Sequence, residues 1–214
     1  MEEIATNIKE AIITSYMHYV LENGKKPHNV FKFAKENNMS ESDFYAHFPS
    51  FEELEKEIFC EFLTQSLGLL EKNEEYQTFD AQNKLLSFYY TFFEILTKNR
   101  SYAIHAIKSD KMKGFGVTKR LGKHFKQFIH SIEIETMTIP EDRLNSFKDK
   151  SIAEAYWGQF AFIMGYWERD TSPNFEKTDI LIEKLVNTAF QLQDIKPLES
   201  VLDLGKFLFK ELRK

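Results

Sequence analysis

Apolar residues recur along most of this chain at intervals of three and four, a spacing that selects helices over strands. Val30, Phe33 and Ala34 form one such stripe, Phe44, Tyr45 and Phe48 a second, and Leu54, Ile58, Phe59 and Phe62 a third on a longer segment. The pattern places helices at 4–22, 29–37, 41–48, 51–73, 79–98, 101–109, 116–134, 141–148, 151–169, 176–193 and 198–212. Breaks fall where local chemistry ends a helix: Asn23-Gly24, the polar stretch 73–78, a basic loop at Gly114 and Gly116, and the turn Thr171-Ser172-Pro173-Asn174. Five prolines and eight glycines are too few for a loop-rich or all-β protein. The expected fold class is all-α.

Between residues 29 and 54 the signals are denser. Asn37 and Asn38 end the first short helix, because asparagine tolerates the left-handed backbone that a tight helix-to-helix turn needs. Met39 plugs the turn. Ser40, followed three residues later by Asp43, predicts an N-cap for the second helix, and Pro49 stops that helix. Ser50 with Glu53 then predicts a second Ser-x-x-Glu box that launches the long helix through Leu54 and Phe62.

The run Phe44-Tyr45-Ala46-His47-Phe48-Pro49-Ser50-Phe51-Glu52-Glu53-Leu54, placed after a capped turn, resembles the DNA-reading end of TetR-type regulators. The resemblance covers about residues 4–64, with Ile8, Ala11, Ile12, Tyr16 and Val20 as the packing face of the first helix. It implies a three-helix helix-turn-helix domain at 1–50 and a larger helical ligand-binding and dimerisation domain at 51–214. A one-component transcriptional regulator would follow, a homodimer on a palindromic double-stranded DNA operator. The implied phosphate contacts are Lys25, Lys26, His28 and Lys32, and the implied groove residues are Ser40, Ser42, Tyr45 and His47. The chain also departs from the family pattern. Members usually carry a phosphate-binding lysine where Phe51 stands, and often small or basic residues in place of Glu41, Asp43 and Ala46.

Charge sharpens that departure. The net charge is −5, but residues 1–60 carry six Lys against eleven Asp and Glu, whereas 96–130 carry seven Lys and two Arg against Asp110 alone. A duplex reader normally has the opposite layout, since neutralising phosphates supplies most sequence-independent affinity.

The C-terminal two thirds are rich in aromatics at helical spacing. Core packing explains most of them. An apolar cavity with sparse polar anchors is the other use of such residues, and the candidates are Tyr89, Phe92, Phe93, Tyr102, His105, Phe125, Phe128, Tyr156, Gln159, Phe160 and Met164, around a small apolar or amphipathic ligand. The stretch Trp157 to Leu192 resembles the two long helices through which TetR-like regulators dimerise. Gly158 and Gly165 would permit close approach, and Ile152, Phe160, Leu181, Leu185 and Phe190 are interface or core. Within it, Trp167-x-x-Asp170-x-Ser172 followed by Thr178 also resembles the lipid-binding ubiquinone-biosynthesis accessory proteins of TetR-like fold. That second resemblance implies an alternative function, a carrier of lipid, isoprenoid or acyl ligands that no longer binds DNA. The amphipathic segment Leu198 to Arg213 fits either docking or membrane contact.

Catalytic and cofactor chemistry finds little footing. The six histidines are scattered without metal-ligand spacing, and no phosphate-binding glycine loop or nucleophile elbow occurs. Cys60, the single cysteine, sits on an apolar helix face as a small hydrophobe. We therefore expect no enzyme, no metal and no cofactor. No apolar run reaches the length of a membrane span, so stable membrane insertion is not expected and a cytoplasmic location is.

Overall fold

The computed structural model of the protein describes residues 2–113, 116–134 and 142–193. Among these residues the chain is helical and without strands: α1 (Glu2–Asn23), α2 (Val30–Glu36), α3 (Glu41–His47), α4 (Phe51–Glu71), α5 (Glu74–Gln77), α6 (Ala81–Lys98), α7 (Arg100–Lys113), α8 (Gly116–Ser131), α9 (Asp142–Arg169) and α10 (Glu176–Gln193), with a 3-10 turn at Pro173–Phe175 before α10. The all-α expectation holds. The polar stretch 73–78 contains the short α5, anchored by the buried Tyr76. Separate helices at 141–148 and 151–169 were expected, yet one helix runs through both. Asp149, Lys150 and Ser151 break the apolar pattern, but each still has a backbone N–H for the helical ladder. The expected helix at 198–212 lies outside the described residues, as do Gly114, Phe115 and Glu141.

The backbone groups into two compact units. One holds 1–74 with 91–128, the other 75–90 with 129–214, so the division passes through α6. In the first unit, α1 packs on α3 and α7, and α2 on α3. Its centre is aromatic: the ring of Phe51 stacks on Tyr16 at 5.4 Å and meets Phe33 and Phe44 edge-on at 5.5 and 5.2 Å. Leu54, Ile58, Phe59 and Leu63 continue that buried face along α4. On α1 the inward stripe is Ile12, Ile13, Tyr16 and Val20. Ala11, expected on it, is exposed, and Ile8 is half-buried, because the stripe is centred one residue further along.

Opposite its apolar face α4 carries an acidic ladder. Glu57 takes Lys9 of α1 on one carboxylate oxygen at 3.2 Å and Arg120 of α8 on the other at 3.1 Å. Arg120 also reaches Glu53 at 2.9 Å, Glu53 holds Lys56 at 2.6 Å, and Glu61 closes the ladder on Lys9. Each pair is about one-third exposed and individually weak, but the shared partners make it a network rather than isolated pairs.

In the second unit, Leu85, Phe88 and Tyr89 of α6 are buried, as are Tyr156, Phe160, Ile163 and Trp167 of α9 and Ile182 and Val186 of α10. The α9–α10 turn is held by one buried carboxylate. Asp170 accepts from the backbone N–H and hydroxyl of Ser172 at 2.8 and 2.7 Å, and from those of Thr178 at 2.9 and 2.7 Å. This satisfies the Thr178 amide in the first turn of α10, while the Lys177 amide donates to the Ser172 hydroxyl, and it ties down a turn in which Asn174 and Phe175 have positive φ, 51° and 61°. Phe175 in turn packs against Trp167, whose ring is fully buried. The Trp-Asp-Ser-Thr motif is thus accounted for by the turn.

Burial by itself would raise the Asp170 pKa, but the donors of Thr178 and Ser172 outweigh it and hold the group at about 2. A carboxyl lowered in the folded state contributes stability above its unfolded pKa and loses it as pH falls. The contribution should therefore fade between about pH 4 and pH 2. Asp170→Ala is expected to cost about 2–3 kcal/mol at neutral pH, as loss of hydrogen bonds to a charged group. In urea melts the difference from the parent should shrink towards zero at pH 2, and an unchanged difference there would refute the assignment.

Candidate nucleic-acid interface and ligand site

The helix-turn-helix is built by side-chain caps at each junction. Asn29 caps α2 by accepting from the Lys32 amide at 2.8 Å. Asn38 supplies the left-handed turn residue, with φ 54°, and the Met39 amide closes on the Ala34 carbonyl at 3.0 Å. Ser40 and Asp43 form a complete capping box: the Ser40 hydroxyl accepts from the Asp43 amide at 3.1 Å, and the Asp43 carboxylate accepts from the Ser40 amide at 2.8 Å. Those Ser40 donors hold the Asp43 carboxyl below its usual range. At the start of α4 only half of the expected box forms. Ser50 accepts from the Glu53 amide at 3.3 Å, but the Glu53 carboxylate turns to Lys56 and Arg120.

This framework decides what α3 shows to solvent. Phe44 is buried, and Glu41, Ser42, Tyr45 and Ala46 are exposed, with His47 half-exposed. Tyr45 is 52% exposed although its ring leans edge-on against Phe44, so α3 holds it out as a fixed flat surface. The Ser40 hydroxyl also donates to Asp43 at 2.8 Å and is fully engaged in the cap. Lys25 and His28 are exposed around the α1–α2 connection. Lys26 is exposed too but pairs with Glu52, whose carboxyl that lysine lowers to about 2, and Lys32 lies 3.8 Å from Glu36.

Phe51 is 7% exposed, inside the aromatic centre of the head. Here the family's lysine position is a core position. Nothing in the sequence pattern separates a first helical residue pointing outward from one pointing inward; the ring neighbours Tyr16, Phe33 and Phe44 decide it.

The eleven expected ligand residues are divided between the two units. Tyr89, Tyr156, Gln159, Phe160 and Met164 lie in the second unit, where Tyr89 donates to Gln159 at 3.0 Å and Gln159 donates to the Leu185 carbonyl at 3.2 Å. Phe160 stacks on Tyr89 at 6.0 Å and on Trp157 at 5.5 Å, which is satisfied core packing. Phe92, Phe93, Phe125 and Phe128 are buried in the first unit, in ring pairs at 5.6 and 6.3 Å. Tyr102 and His105, on α7, line a cavity of about 270 Å³ together with Tyr16 and Glu55. Tyr16 and Glu55 were missed by sequence reasoning, because they reach α7 only when α1 and α4 pack beside it.

Among the described residues no cluster of three or more His, Cys, Asp or Glu is placed to hold a metal, and no helix is long and apolar enough to cross a membrane. Burial pushes the Cys60 thiol up to about 12, and its Sγ donates to the Lys56 carbonyl at 3.5 Å. That is the state of a packed thiol rather than a nucleophile.

A capped helix-turn-helix ahead of a larger set of long helices defines the class, a helix-turn-helix protein whose C-terminal part is helical and without strands among the described residues. Residues 84–208, more than half of the chain, match the family model described as the tetracyclin repressor-like C-terminal domain, and the chain belongs to this TetR-like family. No curated protein matches it.

The buried Phe51 gives a direct test. Phe51→Ala should cost about 3–5 kcal/mol in chemical denaturation, as for other core aromatics truncated to alanine. Phe51→Lys should cost at least as much, since it puts an unpaired ammonium among three rings. A loss under 1 kcal/mol for Phe51→Lys would place residue 51 on the surface instead.

Proposed function

We propose that the chain is a one-component transcriptional regulator whose head, residues 1–50, lays α3 in the major groove of a palindromic operator. The observation that carries this is the fixed outward presentation of Tyr45 and His47 on a capped α3, within a chain of the TetR-like family. Ser42 flanks them, Lys25, His28 and Lys32 serve phosphates, and Lys26 serves them by exchanging its Glu52 partner. Ser40 acts by fixing the start of α3. With so few free cations in the head, base-edge contacts carry more of the affinity than usual, and salt dependence should be shallow.

Residues 51–214 would bind the effector and dimerise. Supporting the dimer is an exposed stripe on α9: Phe162 is 56% exposed, with Gly158 one turn and Ala155 two turns before it. A Cβ at Gly158 would meet nothing within 4 Å of its own chain, so the single chain gives no reason for glycine there. A partner helix lying close against it does. Ile180 and Leu192 of α10 are likewise exposed, at 51% and 48%. Of the expected interface residues, Phe160 faces the core of its own chain. A cytoplasmic, non-enzymatic role fits this reading. The carrier alternative keeps less support, because the motif behind it holds the α9–α10 turn and Arg120 of the basic segment is bound to the α4 ladder.

The double variant Tyr45→Ala, His47→Ala should fold normally by circular dichroism and lose binding, by at least a hundredfold, to a duplex selected by the parent chain from random sequence. Unchanged gel-shift affinity would sink the assignment. Phe162→Glu should convert the dimer to a monomer in light scattering at micromolar concentration, and a parent chain that is itself monomeric would remove the dimer from the proposal.

A further inference from the structure

The 270 Å³ cavity where α1, α4 and α7 meet has polar groups that the fold leaves unanswered. Tyr102 is 2% exposed, and among the described residues its hydroxyl has no hydrogen-bond partner. A buried hydroxyl left so costs about 1–3 kcal/mol, so whatever fills the cavity must meet it. Glu55 accepts from the Tyr16 hydroxyl on one carboxylate oxygen, at 2.5 Å, and its second oxygen meets no donor among the described residues. His105, half-buried on the next turn of α7, is also without a described partner and has an acceptor nitrogen when neutral.

The free Glu55 oxygen can only accept, and the Tyr102 hydroxyl and a neutral His105 can each accept as well, so a cationic donor can be met by all three. The Glu55 charge disfavours anions, and of the two lysines on the lining Lys26 is paired with Glu52 in this structure. Lys25 lies at the rim but is exposed, where water and salt screen it. The rings of Tyr16 and Tyr102 add faces that attract cations. The volume, just below the range of about 300–1,000 Å³ for drug-sized ligand sites, suits a ligand of few heavy atoms.

We propose that this cavity is a binding site for a small protonated amine, with the Glu55 carboxylate as counter-ion and the Tyr102 hydroxyl and His105 as further acceptors. Its walls come from α1, α4 and α7, so an occupant ties the first helix of the head to the helix that leads out of it and to α7. The site stands on its own geometry and does not rest on the chain's binding DNA.

The test titrates the full chain with n-butylamine, 1-butanol and butyrate, following tyrosine ring resonances by NMR and affinity by calorimetry. Butylamine should shift Tyr16 and Tyr102 saturably and leave the exposed Tyr90 unmoved. Glu55→Gln should weaken it at least tenfold while keeping the Tyr16 bond, since the amide oxygen still accepts. Tyr102→Phe, which removes one hydroxyl and preserves the ring, should weaken it severalfold and serves if Glu55→Gln fails to fold. Binding of butanol or butyrate as strong as that of butylamine would overturn the proposal. So would the absence of any shift, the result for a cavity that holds water only. Operator affinity measured on the same samples separates the two readings: amine binding without DNA binding leaves this site and removes the regulator.

Discussion

The head of this protein depends on one inserted ring. Phe51, the first residue of α4, lies among Tyr16, Phe33 and Phe44, and so joins the helix that leaves the head to each of the three helices that make it. Much else follows from seating it. Pro49 must stop the preceding segment, Ser50 must cap the new helix, and the α2–α3 turn must be tight enough to bring Phe33 and Phe44 to the same ring. Aromatic pairs in such edge-on and offset arrangements add about 0.5–1.5 kcal/mol each beyond the area they bury. The position where the family resemblance implied a phosphate-binding lysine is here a source of cohesion.

The same helix organises the charge. Its acidic side, Glu53, Glu57 and Glu61, lies at intervals of four and takes Lys9 from α1 and Arg120 from α8. The contrast between an acidic N-terminal segment and a basic middle is thus partly answered inside the molecule. Arg120 belongs to the basic run yet is turned onto α4, and Glu53 and Glu57, counted against DNA binding, are occupied. Sequence charge counts therefore overstate the repulsion that a duplex would feel. Glu41, at the exposed start of α3, keeps its full weight. α4 thus touches the head through its rings, α8 through its carboxylates and the amine-sized cavity through Glu55.

Much of the architecture was legible in the residues because the determinants are local. Asn38, Ser40 with Asp43, and the Ser50 hydroxyl each fix a helix end through atoms at most a few residues away, and the structure uses them as the sequence implies; Asn29, expected inside the helix, caps it instead. The errors came where local chemistry was permissive. Asp149, Lys150 and Ser151 look like a break but forbid nothing, so α9 passes through them. Glu53 has the right spacing to complete a capping box, yet a charged partner in Arg120 was available from 67 residues away. The ligand set is less legible. Aromatic spacing identifies buried faces and not which of them enclose empty space, and the hydrogen bonds from Tyr89 to Gln159 and from Gln159 to the Leu185 carbonyl depend on how α6, α9 and α10 pack.

By itself, then, the sequence determined most of the helices, their caps and membership of a helical regulator family, because periodicity and capping act over a turn or two of backbone. Apolar spacing put Tyr45 on the buried stripe with Phe44 and Phe48, and it is the packing of α3 through Phe44 that leaves Tyr45 52% exposed. Only the tertiary structure decided that Phe51 is core, that Arg120 belongs to α4, that Asp170 holds a turn and that Tyr16, Glu55 and Tyr102 border one cavity. Those outcomes turn on partners tens of residues apart for Phe51, Arg120 and the cavity, and on how the chain folds back at Asp170. Whether a side chain meets a ring, a charge or a void is settled only when the helices have packed.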